Sequence, residues 1–107
     1  MKTFDNREEA FEKRFALDEE LGFKARARRN KGIGLWAAGL LGKGAAAAEA
    51  YAADLVAAQA GGRGEQALFD ALRADFEGAG IDLSDHRLRR KLAEALERAR
   101  AEVAAGK

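Results

Sequence analysis

The sequence predicts an all-α protein, a four-helix bundle with a long N-terminal helix that is either continuous or broken, and three observations support this. The 107 residues include no Pro, and Ala, Glu, Lys, Arg and Leu, which lose least on entering a helix, make up much of the chain. Large apolar residues recur three and four positions apart in several stretches separated by glycines, the spacing that gathers them on one helix face. Strand-forming runs of Val, Ile and Thr are absent. A chain of this length makes one domain with a limited core and modest stability.

The first helix can be capped by Thr3 or Asp5, with Glu8 and Glu9 at the positive end of its dipole, and it is expected to run to Leu41. At about 100° per residue, Phe4, Phe11 and Phe15 fall within about 40° of one another, whereas Leu17 and Leu21 lie more than about 90° away. The apolar face therefore changes near Ala16. That change predicts two parts: residues 1–19 as a mobile recognition segment that meets another surface, and 20–107 as the bundle. The hub of the bundle is the stretch RNKGIGLWAAGLLGK, Arg29 to Lys43, which holds the only Trp. Ile33, Trp36, Leu40 and Leu41 recur there at helical spacing. Gly34 and Gly39 each cost about 0.5–1 kcal/mol relative to Ala inside a helix, so close approach of a neighbour is expected at both.

Gly42 and Gly44 stop the first helix, with Lys43 suited to its negative end. A second helix, Ala45 to Ala60, offers Tyr51, Leu55 and Val56 on a face otherwise built of Ala, which permits close packing. Gly61, Gly62 and Gly64 interrupt the chain. A third helix from Glu65 presents Leu68, Phe69, Leu72 and Phe76 on one face and ends at Gly78 and Gly80. Ser84 caps the last helix, whose apolar stripe is Leu88, Leu92, Leu96, Ala99 and Val103. Glu20 with Lys24, and Glu94 with Arg98, are spaced to pair, each worth about 0.2–0.5 kcal/mol.

Composition excludes several classes of function. Without Cys there is neither a disulfide nor a thiolate metal site, in keeping with a cytoplasmic location. The N-terminus is charged where a secretory signal is apolar, and the apolar run Ile33 to Leu41 is far shorter than the roughly 20 residues that span a membrane. Net charge is +1, with 19 Lys and Arg against 18 Asp and Glu, so bulk electrostatics gives no argument for nucleic acid. The charge is nonetheless segregated. Residues 1–20 carry four basic against seven acidic residues, whereas 24–31, KARARRNK, hold five basic residues and no acid. That run reads as a solvated basic face or one edge of a protein interface.

One His, one Ser, one Thr and one Tyr leave almost nothing from which to build a nucleophile and base, so no enzyme is expected. His86 has no second His with which to hold a metal. The carboxylate pairs Glu8 with Glu12 and Glu19 with Glu20 read as solvated helix faces. AAGLLGKG resembles a phosphate-binding loop only superficially: Ala37 stands at the first glycine position and Gly44 where Ser or Thr would hold magnesium. The Phe4, Phe11 and Phe15 stripe is the feature with most to say. It is either ordinary core or, if exposed, the face of an amphipathic helix that enters a groove. Three buried Phe supply roughly 5–9 kcal/mol, whereas ordering about 15 residues from coil costs roughly 15–30. The segment must then be partly helical beforehand or gain from its charged contacts.

The runs FDNREEAFEKRF, Phe4 to Phe15, and FKARARRNKGIGLWAAGLLG, Phe23 to Gly42, resemble the zeta subunit of alphaproteobacterial ATP synthases, a family of small all-helical inhibitors. The likeness is close over residues 1–43 and elsewhere lies in length and helical pattern; where Gly32 stands, relatives tend to carry a larger aliphatic residue. The resemblance implies an inhibitory subunit whose N-terminal segment inserts as a helix at a catalytic alpha/beta subunit interface near the central shaft, blocking rotation and ATP hydrolysis, while the bundle anchors it. On this chain the matching positions run from Phe4 to about Glu20, with Phe4, Asp5, Arg7, Glu8, Glu9, Phe11, Glu12, Lys13, Arg14 and Phe15 as the expected contact residues. The expectation is a chain that is monomeric when free and peripheral at the inner membrane through the synthase, with no cofactor, nucleic acid or membrane insertion. The alternative is a small helical adaptor, or a regulatory protein that binds adenine nucleotide weakly, with a different partner.

Overall fold

The computed structural model describes residues 2–60 and 62–107, with side chains from Arg7 onward. Four helices make up the fold in chain order: α1 (Lys2–Leu40), α2 (Ala45–Gln59), α3 (Glu65–Gly78) and α4 (Asp85–Ala104). The protein is all-α, as its composition predicts. Its first helix is unbroken over 39 residues, so the glycines within it are absorbed without a kink-sized interruption. At about 1.5 Å per residue that makes a rod of about 58 Å. The longest dimension of the molecule, 64 Å, is set by it.

Both α2 and α4 lie antiparallel to the second half of α1. Ala52 of α2 meets Gly34, and α2 ends beside Ala27 and Asn30. Lys91 of α4 passes over Trp36, and further along Glu102 reaches Arg28. Ile33, Ala37, Leu55, Leu68, Phe69, Leu72, Phe76, Leu88 and Leu92 form one core. Each fully buried Leu, Ile or Phe contributes about 1.5–3 kcal/mol. Trp36 closes this core edge-on against Phe76, ring centroids 5.8 Å apart at 86°. Leu40, expected in the hub, is instead 44% exposed, because the chain turns away just beyond it.

The close approach expected at the hub glycines occurs at one of them. A Cβ on Gly34 would sit 2.7 Å from the Cα of Ala52, so two small residues let α1 and α2 touch backbone to backbone. Gly39 has open space around it and no such neighbour. The helix stops are as the glycines suggest. Gly42, at φ +76°, ends α1 with Lys43 N–H donating to Ala38 and Gly42 N–H to Gly39, and Gly80 ends α3 in the same way through Phe76 and Glu77. Ser84 Oγ accepts from Arg87 N–H at 3.2 Å and caps α4. Glu20 pairs with Lys24 as spaced, but Glu94 turns back to Arg90 at 3.0 Å and not forward to Arg98. Among the described residues no helix is long and apolar enough to cross a membrane.

Candidate functional site

Neither α2 nor α4 reaches as far as α1. Among the described side chains Ala25 is the first in α1 to be buried, and from Arg7 to Glu20 every one is exposed. The first half of α1 is therefore an arm that projects from the bundle. Phe11 is 73% exposed and Phe15 57%. Of the ten positions that the resemblance singled out, Arg7, Glu8, Glu9, Phe11, Glu12, Lys13, Arg14 and Phe15 stand together along this arm; Phe4 and Asp5 belong to α1, but their side chains lie outside the described residues.

The helical geometry sorts them. With the Phe11–Phe15 line as reference, Glu8 and Glu12 lie about 40–80° to one side, Arg7 and Arg14 about 60–80° to the other, and Glu9 and Lys13 on the back. An aromatic ridge thus runs between an acidic flank and a basic one. The first ion pair along α1 among the described residues is Glu20–Lys24, so the arm's charges are not consumed by contacts within the chain.

The change of apolar face expected near Ala16 is not what frees these rings. On a regular helix Phe11 and Phe15 point within about 40° of Arg29 and Ile33, both buried. The ridge therefore continues the core-facing side of α1, and it is exposed because no neighbouring helix extends to its level.

The basic run proves to be divided. Arg29 is only 5% exposed and donates to Glu65 Oε1 at 2.6 Å and to Asn30 Oδ1 at 2.7 Å, fixing the start of α3 to α1. Arg28 donates to the Lys107 carbonyl and faces Glu102, fixing the end of α4. Nothing in the spacing KARARRNK distinguishes these two from Arg26, which stays exposed with its guanidinium 5.0 Å over the ring of Phe23. Phe23, 65% exposed, is the apolar surface residue that the sequence reading passed over. Its signal was an aromatic standing directly ahead of five cations. Lys43, in the loop-like AAGLLGKG, lies 5.5 Å over the Tyr51 ring, and the element before it is a helix where a phosphate-binding loop follows a strand. His86 is exposed at the start of α4.

A family model described as ATPase inhibitor subunit zeta matches residues 1–102 of this chain. No curated protein matches it.

Proposed function

This chain belongs to the ATPase inhibitor subunit zeta family, and from that membership we propose that it inhibits ATP hydrolysis by F-type ATP synthase as a mechanical wedge. The arm enters a catalytic alpha/beta interface of the head beside the central shaft and stops rotation; the bundle holds it there. The chain does no chemistry of its own, and it is peripheral at the membrane only through the synthase.

The observation that carries this reading is the exposed Phe11–Phe15 ridge on the half of α1 that, among the described residues, has no neighbouring helix. Ordering such a segment from coil would cost more than its aromatics return. Here the bundle holds the second half of α1 as a helix, so the arm propagates from an existing turn and needs no nucleus of its own. The acidic and basic flanks then suit a cleft with one basic and one acidic wall, and they set the orientation of the arm within it.

Deletion of residues 2–19 tests the proposal. The bundle core starts at Ala25, so the shortened chain should keep its helical spectrum and cooperative melting while losing inhibition of ATP hydrolysis by the isolated head. Equal inhibition by the shortened chain would falsify the assignment of the arm.

A further inference from the structure

Where the arm joins the bundle, α1 carries a second apolar feature. Phe23 and Ala27 of α1, Val56 and Ala60 at the end of α2, and Leu96 of α4 surround an open groove of about 640 Å³. Its one acid, Glu65, is already engaged by Arg29. Among the described residues Arg26, on the rim, meets no carboxylate, whereas Lys24, Arg28 and Arg29 of the same run are paired with Glu20, Glu102 and Glu65. Apolar walls under a cationic rim suit an apolar side chain carried on an acidic segment.

The position of the groove narrows the occupant. On a regular helix the groove's α1 residues spread from Arg29, in line with Phe11, through Arg26 and Asn30 to Phe23 and Ala27, which lie about 80–160° round from the ridge, so the ridge meets the groove along its Arg29–Arg26 edge. The chain's own arm cannot fill it, because an unbroken helix holds Phe15 and Ala27 about 18 Å apart. A partner lying along the ridge, by contrast, comes to the Arg29–Arg26 edge of the groove and can pass a side chain over it. We propose that this groove receives an apolar side chain from an acidic segment of the same catalytic head that the arm enters, so that the head is gripped at two levels along α1. The inference rests on the function proposed above and adds a contact in the bundle to the one in the arm.

The chain lacks Cys, so Ala60→Cys gives one attachment point for a bulky pyrene maleimide that fills the groove. Ala50→Cys, at an exposed α2 position about 15 Å along the helix from Ala60 and turned about 80–120° from the groove residues Ala60 and Val56, is the labelled control. Ala27→Trp fills the groove without a label. Full-length chains are compared by half-inhibitory concentration against the isolated head, by thermal melting and by sedimentation of the free chain.

The label at position 60 and Ala27→Trp should each raise the half-inhibitory concentration about tenfold with melting unchanged, while the label at position 50 does nothing. Arg26→Glu should do the same at low salt, with an effect that shrinks as salt rises. If the unlabelled chain inhibits and the groove-filled chains inhibit equally well, the groove has no part in the grip. If the free chain self-associates and only the label at position 60 abolishes this, the occupant is a second copy and the inference is overturned. An unmodified chain that fails to inhibit overturns the proposed function and this contact with it.

Discussion

At the scale of single residues, the glycines of α1 separate by what surrounds them. Gly34→Ala would press a Cβ to 2.7 Å from the Ala52 backbone, a place that cannot give as a side chain tip would. We expect it to cost about 1–3 kcal/mol by forcing α1 and α2 apart. Gly32 is exposed, and a Cβ there meets nothing within 4 Å. Gly32→Ala should therefore gain about 0.5–1 kcal/mol. Melting temperatures of the two variants, moving in opposite directions, check both. The sequence marked Gly34 and Gly39 alike, and only the neighbour distinguishes them. Tyr51 makes a third residue-level case. Burial, and then the Asp75 carboxylate that accepts its hydrogen bond at 2.6 Å, raise its pKa above the ordinary value of 10.0. A tyrosine whose folded pKa is raised contributes stability that is fully present below the unfolded pKa and lost as pH rises through the folded one. Stability should thus fall above about pH 10, and in Tyr51→Phe the alkaline limb of the melting profile should flatten.

Among the elements, α1 is the one whose two halves differ in what holds them. The half beyond Ala25 is fixed by packing, whereas the arm keeps its helix by propagation from that half and by its own residues. Ala10 and Ala16 are exposed positions in the arm that touch neither the bundle nor the ridge. Ala10→Gly and Ala16→Gly should each weaken the arm helix by about 1 kcal/mol, which is about fivefold in inhibitory affinity. Bundle melting should not move, and inhibition curves read beside calorimetry would show whether this separation holds. The helix stops and the start of α4 were legible to within a residue or two, because Gly42, Gly80 and Ser84 act through their own backbone and side-chain chemistry, whereas α1 already includes Lys2 and so takes in both Thr3 and Asp5, the caps the sequence offered. The role of the run 24–31 was not legible. Arg28 and Arg29 are bound by groups from α3, α4 and the C-terminal residue, and their spacing in the run gives no hint of that.

For the molecule as a whole, the radius of gyration is 17.4 Å, against about 13 Å for a compact domain of this length. The projecting arm accounts for the excess, so small-angle scattering on the chain lacking residues 2–19 should give a value near the compact one. An arm packed against the bundle in solution would show itself as a full-length chain already near about 13 Å. Taken alone, the sequence determined four helices, their stops and the faces that make the core, since periodicity, capping and glycine conformation act over a few residues. It also gathered Phe11 and Phe15 on one face with their charged neighbours. It could not say whether that face was inside or outside. On a regular helix the two rings point the same way as buried Ile33, and what exposes them is that α2 and α4 end near the level of Ala25. Exposure depends on where the neighbouring helices stop, and that is set by tertiary packing, which no local pattern in α1 records.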